Sequence, residues 1–251
     1  MNLTVSLTRP GNFAASEGNP QLRPYTSDNF DLSLEWYYSK SSYVSFDLFR
    51  KHVDDFITVR SFVAPLNGVT DPSTGADFTR PDSGDTLANF VISRPENDGS
   101  ADITGQEVAF QHLFGESGFG IIGNLTLVGT NRPFDVRTIA QTTAVTGLSN
   151  SANLIGYYEH GPLQARIAVN WRDGYLSQIG QPQDAYEPTF VNPYTQVDAS
   201  VSYKVSPKVE LYGYATNLTG SSLSSHGRFK AQFLNATSSE TRYVAGVRLR
   251  F

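Results

Sequence analysis

The sequence predicts an all-β fold: an antiparallel transmembrane β-barrel segment of about ten strands, with short turns at one end and long loops at the other. Three observations predict it. The last dozen residues alternate, with Tyr243, Ala245, Val247, Leu249 and Phe251 on one face and Arg242, Arg248 and Arg250 on the other. A half-buried soluble strand shares that alternation, but three arginines on one face and a terminal aromatic fit hydrocarbon on one side, a wet lumen on the other and aromatics at the interfaces. Secondly, this period of two recurs along the chain, no helical period persists, and no run of about 18 apolar residues offers a membrane helix. Thirdly, tight turns alternate with long polar connections, as in barrels with short turns on one side of a membrane and long loops on the other.

In order along the chain, Asn2–Thr8 alternates Leu3, Val5 and Leu7 against Thr4, Ser6 and Thr8. After a Gly/Pro-rich stretch, Phe30, Leu32, Leu34, Trp36 and Tyr38 oppose Asp31, Ser33, Glu35 and Tyr37. The Ser39–Ser42 turn leads into a return strand from Val44 to about Val63, and residues 64–85 form a loop of turn-forming residues. A strand from Thr86 to Phe114, interrupted near Pro95–Gly99, turns at Gly115–Gly118 into Phe119–Asn131. Residues 132–150 form a second long loop; Ala152–Glu159 and Leu163–Arg172 make a hairpin about His160–Pro162. Residues 173–193 are a third loop. Val197–Val205 and Lys208–Leu218 follow, joined at Ser206–Pro207, and the inward face of the second is ambiguous, because Val209 and Leu211 oppose Tyr212 and Tyr214. A last long loop, 219–239, precedes the closing strand, which runs toward the short-turn side.

Composition narrows the function classes. The chain has 251 residues, no cysteine and one methionine, so disulfides and thiolate metal sites are excluded. The net charge of −5 is spread out, with no basic stripe for nucleic acid. The N-terminus lacks the basic and apolar regions of a signal peptide.

Several segments together resemble one family. Gly18-Asn19-Pro20-Gln21-Leu22-Arg23-Pro24 and the strand Asp28–Tyr37 resemble a stretch of TonB-dependent outer-membrane receptors. Phe49–Ile57, Ile103-Thr104-Gly105-Gln106-Glu107, Asp198–Tyr203, Asn217-Leu218-Thr219 and Arg242–Val247 resemble later strands of that family, in the same order. Leu148–Leu154 and the loop lengths look closest to carbohydrate-type receptors. The resemblance implies residence in the outer membrane of a Gram-negative bacterium and uptake of a small solute, a siderophore or an oligosaccharide, without covalent chemistry or a cofactor. Implied partners are outer-membrane lipid, the barrel assembly machinery acting on the closing strand that ends in Phe251, and, in a full-length receptor only, TonB. Such receptors are barrels of about 22 strands with a plugged lumen. The expectation is therefore that residues 1–251 are the C-terminal part of such a barrel, a truncated form without plug or signal peptide, whose first and last strands do not pair.

On the barrel reading, Glu35, Glu107, Arg166, Asn170, Arg172, Asp198, Arg242, Arg248 and Arg250 form a lumen-facing polar wall; their role is to contact a solute or plug, or simply to solvate the wall and pair with one another. Tyr175, Tyr186, Phe190 and Phe229 in the loops are candidates for stacking on sugar rings. Gly118-Phe119-Gly120-Ile121-Ile122-Gly123 spells a dinucleotide fingerprint, but the alternating strand after it is not the helix that chemistry needs. His52, His112, His160 and His226 are scattered. Asp54 and Asp55, as neighbours on a strand, point to opposite faces. Four Asn-x-Thr sequons, from Asn2, Asn124, Asn217 and Asn235, fall mostly in strands and mean nothing in a bacterial protein. The rival functions are an outer-membrane barrel hydrolase, for which no motif marks a catalytic constellation, and a soluble glycan-binding β-sandwich, whose apolar faces would pack on each other.

Overall fold

A computed structural model of the protein describes residues 3–6, 13–65, 89–139, 141, 144–180 and 187–251. Its strands are β1 (Leu3–Ser6), β2 (Phe13–Glu17), β3 (Thr26–Ser39), β4 (Ser42–Asp54), β5 (Ile57–Pro65), β6 (Asn89–Asn97), β7 (Ala101–Leu113), β8 (Phe119–Thr130), β9 (Ser151–His160), β10 (Leu163–Arg172), β11 (Tyr175–Gln178), β12 (Thr189–Val191), β13 (Tyr194–Ser206), β14 (Val209–Thr216), β15 (Ser222–His226), β16 (Phe233–Ser238) and β17 (Arg242–Leu249). No helix among the described residues is long and apolar enough to cross a membrane, which says nothing of a β-barrel.

The main sheet has nine strands in the order β17-β14-β13-β10-β9-β8-β7-β4-β3, and every junction is antiparallel. Four tight turns, at Ser39–Ser42, Phe114–Gly118, His160–Leu163 and Ser206–Val209, lie at one end, and the four long connections lie at the other. At about 3.3 Å per residue and a tilt near 40°, ten-residue strands such as β9 and β10 rise about 25 Å, the height of a barrel's apolar band. The sheet does not close: β3 and β17 are its edges, and among the described residues neither pairs on its outer side.

Register assigns the faces, because residues directly opposite across a ladder share one. Leu34↔Phe46, Phe46↔Val108, Val108↔Leu125, Leu154↔Val169, Ile167↔Ala199 and Leu211↔Val247 build a continuous apolar face. Asp47↔Glu107, Asn124↔Asn153, Arg166↔Ser200 and Glu210↔Arg248 build the polar one. This settles β14: Val209 and Leu211 join the apolar face, while Tyr212 and Tyr214 stand opposite Ser202 and Ser200. The apolar face is uncovered, with Leu34, Trp36 and Val247 each more than half exposed. Each such side chain gains roughly 1.5–3 kcal/mol on leaving water, so a face this broad requires hydrocarbon or a partner. At its turn end runs a rim of aromatic contacts: Trp36–Tyr38 at 5.1 Å, Tyr38–His112 at 5.8 Å, His112–Phe114 at 4.5 Å and Phe119–Tyr158 at 4.6 Å between centroids. Barrels carry such girdles where the membrane meets water.

Cross-strand packing explains several glycines. The rings of Phe49, Tyr157 and Tyr212 lie over Gly105, Gly120 and Gly246 on the polar face, and that of Phe110 over Gly123 on the apolar face. A Cβ at any of the four would collide with the ring.

Two four-stranded sheets extend beyond the loop end, in the orders β1-β2-β6-β5 and β11-β12-β15-β16. The expected strand from Val44 to Val63 is thus two strands: Asp55 adopts a left-handed φ of 54°, Gly99 opposite has φ 70°, and the Phe56 amide donates to the Gly99 carbonyl at 2.8 Å to carry the ladder across the bend. The Gly18–Pro24 stretch buttresses it, since Asn19 donates to the Pro95 carbonyl at 3.1 Å and Asn97 to the Arg23 carbonyl at 2.9 Å. The expected first strand departs from the sequence reading: its described part, β1, pairs with β2 rather than with the main sheet. β2 then pairs with β6 in parallel, the exception to an otherwise antiparallel set. Five short strands, β2, β11, β12, β15 and β16, also arise inside expected loops, where runs such as Ser222–His226 pair by backbone ladders without a clear apolar period.

Candidate functional site

The ladder registers place Glu35, Glu107, Arg166, Asn170, Arg172, Asp198, Arg242 and Arg248 on the polar face. Arg250, just past β17, continues the alternation, and its amide donates to the Lys208 carbonyl at 2.9 Å. They share a face without forming one cluster, and the charge on that face is divided. From β3 to β7 acids prevail, with Asp31, Glu35, Asp47 and Glu107 against Lys51; from β10 to β17 bases prevail, with Arg166, Arg172, Lys204, Arg242, Arg248 and Arg250 against Asp198 and Glu210.

Several of these side chains are already engaged. Glu210 lies 3.1 Å from Arg248 and 3.8 Å from Arg250, and the Arg248 guanidinium sits 5.4 Å from the Tyr212 ring centroid. Glu35 accepts from the Tyr37 hydroxyl at 2.7 Å. Asp198 accepts from Gln196 at 2.8 Å and from the Asn217 amide at 2.8 Å, which makes it an anchor for the following loop. Arg172 lies over the Tyr175 ring at 4.9 Å, and its buried Nε has no hydrogen-bond partner among the described residues. Arg166 faces a recess of about 740 Å3 between β8 and β17, shared with Tyr157, Gln164, Ser202, Tyr212 and Arg248. A second hollow of about 260 Å3 lies among Asp31, Asp47, Phe49, Lys51 and Glu107.

The loop aromatics are mostly committed to packing. Phe190 stacks on His226 at 5.3 Å and meets Phe134 edge-on at 6.0 Å. Tyr175 is under Arg172, Phe229 is exposed, and Tyr186 lies outside the described residues. The histidines hold no metal group: among the described residues no set of three or more candidate ligands converges. His52 instead lies 2.9 Å from Asp102, beside Arg50. Asp54 lies 3.5 Å from His52, while Asp55 pairs with Arg23, so the two neighbouring carboxylates have separate partners. Gly118 occupies a turn with φ 81°, and β8 follows it, so the glycine pattern carries no nucleotide site.

Two residues organise the loop end in roles that sequence reasoning did not assign. Asn217, 3 % exposed and left-handed at φ 55°, donates to the Ser221 and Ser239 carbonyls and accepts from the Ser221 amide at 2.9 Å. Arg228, 6 % exposed, donates to the Val136 and Thr138 carbonyls at 2.8 and 3.0 Å, pairs with Glu187 at 3.1 Å, and lies 5.5 Å from the Phe134 ring. It ties together the loops 131–150, 173–193 and 217–241. Nearby, the Asp135 carboxyl accepts from the Arg137 amide and the Thr138 hydroxyl, which hold it below the usual carboxylate range.

Residues 2–218 match the family model of the TonB-dependent receptor-like β-barrel. The chain belongs to the TonB-dependent receptor family. Members of this family are outer-membrane proteins of Gram-negative bacteria and are transporters, not enzymes or soluble sandwiches. Solved receptors share the fold at low identity. The siderophore receptor PirA from Acinetobacter baumannii is 20 % identical, with a TM-score of 0.62 over 95 % of this chain and 34 % of its own. A mutant of the ferric enterobactin receptor PfeA from Pseudomonas aeruginosa is 17 % identical, with a TM-score of 0.62 over 98 % and 34 %. The copper transporter OprC is 14 % identical, with a TM-score of 0.59 over 93 % and 33 %. The chain spans about a third of the length of each. No curated protein is matched by the sequence.

Proposed function

We propose that these residues form one sector, the C-terminal one, of the wall of a TonB-dependent receptor that imports a scarce small solute. The carrying observation is a nine-stranded sheet with one apolar face, one charged face and two free edges. Lipid covers the first face, the solute path runs along the second, and the latched loops at the far end present the first contact surface to the outside. On this reading a plug and TonB supply gating and energy, neither of which this sector provides, and the barrel assembly machinery engages β17 through its terminal Phe251. The similar solved structures include siderophore receptors and a copper transporter, which supports a metal or metal-chelate solute over the oligosaccharide; the divided charge of the polar wall suits a charged cargo.

The experiment is refolding of the purified chain with and without detergent, followed by circular dichroism and size-exclusion chromatography. Aggregation in buffer and a gain of β signal in detergent are expected. A folded, monodisperse sample in plain buffer overturns the membrane assignment. For the solute, TonB-dependent growth of an iron-starved strain on ferric chelates, conferred by a receptor carrying this segment, is the expected outcome, and growth on an oligosaccharide alone overturns the metal-chelate choice.

A further inference from the structure

His52 stands where the main sheet bends into the outer one, and a carboxylate meets each of its ring nitrogens. Nδ1 lies 2.9 Å from Asp102, directly across the ladder on β7, and Nε2 lies 3.5 Å from Asp54, the last residue of β4. Asp28 occupies the position opposite His52 on β3. The Arg50 guanidinium donates to Asp102 at 2.9 Å, and the Asn131 side chain, just past β8, donates to it at 3.0 Å. Arg132, next to Asn131, is paired with Asp98 at 2.8 Å. Three carboxylates thus neighbour one imidazole, with Arg50 as the cation beside it. Counted from the Ser39–Ser42 turn, His52 is the eleventh residue of β4, just past the ten or so that fill the apolar band.

A neutral imidazole has one N–H and one lone pair. With the proton on Nδ1, the Nε2 lone pair faces the Asp54 carboxylate; with the proton on Nε2, the Nδ1 lone pair faces Asp102. Only the imidazolium, a donor at both nitrogens, suits both partners. We propose that His52 is a pH-sensitive latch: protonated, it bridges Asp102 and Asp54 and holds the bend between β4 and β5; deprotonated, it releases Asp54 and loosens the outer sheet on the main one. This goes beyond solute import and takes from the sector reading only its place outside the membrane.

The direction follows from linkage. The hydrogen bond to Asp102, above all, raises the His52 pKa from its ordinary value, although desolvation opposes it. A group whose pKa rises on folding stabilises fully below its unfolded value, and that contribution is lost as the pH climbs through the folded value. Asp102, held below the usual carboxylate range by His52 and Arg50, stays ionised throughout, so Arg50 and Asn131 keep their partner. The part that loosens is the bend itself, where Asp55 is left-handed and Phe56 pairs by backbone with Gly99 at 2.8 Å and Asp98 at 2.7 Å.

The test follows the folded chain in detergent micelles from mildly acidic to mildly alkaline pH. His52 is read by NMR of isotope-labelled histidine, assigned by the signal missing in His52→Gln. The bend is read by amide exchange at residues 54–56 and 98–99, corrected for the intrinsic pH dependence of exchange. In the unsubstituted chain these amides exchange several-fold faster above the His52 titration than below it, in one step that coincides with it. His52→Gln exchanges fast at every pH and His52→Arg slowly at every pH. Asp102→Asn lowers the pH at which His52 titrates, Asp54→Asn shrinks the step, and His226→Gln, in the other loop sheet, leaves it unchanged. Main-sheet amides of β4 and β7 report whether each variant is folded; where one is not, coincidence of the two titrations in the unsubstituted chain decides. A bend that exchanges alike on both sides of the His52 titration, or a step that persists in His52→Gln, overturns the proposal. A main sheet protected in plain buffer defeats the membrane assignment instead, and the step at the bend still reports the latch there.

Discussion

The ring of Tyr212 on β14 lies across Gly246 on β17, so close that a Cβ on the glycine would stand 2.5 Å from Cζ of the ring. The edge strand is seated by an aromatic that needs a hydrogen where other residues have a side chain. Gly246→Ala should cost about 1–3 kcal/mol through overpacking, read as a lower urea midpoint in vesicles. Adding Tyr212→Ala should recover part of that loss, because the clash goes with the ring. Gly129→Ala on β8, where nothing stands within 4 Å of the new methyl, should leave the midpoint nearly unchanged.

Neighbouring residues of β17 test the two faces. Val247, 57 % exposed, lies on the apolar face, which the proposed function sets against lipid, whereas Arg248 pairs with Glu210 on the polar face. An arginine facing lipid costs roughly 2–4 kcal/mol at the midplane and less toward the interfaces. Val247→Arg should therefore reduce the heat-modifiable folded band far more than Arg248→Val, which leaves Glu210 within 3.8 Å of Arg250. Equal damage from the two changes would reverse or abolish the assignment.

Asn217 combines a backbone role with a side-chain role, and two substitutions separate them. Asn217→Gly keeps the left-handed backbone and loses the side-chain bonds; Asn217→Ala loses both. With each buried group left unpaired costing about 1–3 kcal/mol, both variants should expose the 217–241 loop to limited proteolysis, the alanine variant faster. Identical cleavage in both would assign all of the effect to the side chain.

The β5–β6 hairpin should weaken in acid. The Arg94 side chain, hydrogen-bonded to Glu96 and assisted by Arg60, holds the Glu96 carboxyl below its usual range. A group whose pKa falls on folding stabilises fully above its unfolded value, and that contribution disappears as the pH drops through the folded value. Hydrogen exchange across residues 57–65 and 89–97 should accelerate over that acid range, and Glu96→Gln should flatten the dependence.

The faces of most strands were legible in the chain because a two-solvent environment imposes period two on the side chains. Strand β14 was not, since tyrosine serves either face and only its register against Ser200 and Ser202 decides. The nine polar-wall positions could be named from alternation alone, but not their engagements: Asp198 serves Asn217, and Glu210 serves Arg248, through partners 19 and 38 residues away. Arg228 left no local signal, since its carbonyl acceptors lie 92 and 90 residues upstream. The short strands β2, β11, β12, β15 and β16 were illegible for a different reason. Segments such as Thr189–Val191 are too brief for any period to register.

Arg228 changes what the outer loops are worth to a visiting molecule. Loops that move independently each lose conformational freedom when a ligand orders them, and that loss subtracts from affinity. Here one guanidinium has already joined three loops to each other, so the disorder has been surrendered during folding, before any cargo arrives. The surface behaves as a mould rather than a set of fingers. On the proposed function, such a surface would favour rigid cargo that fits at once, and a change at position 228 would alter all three loops together.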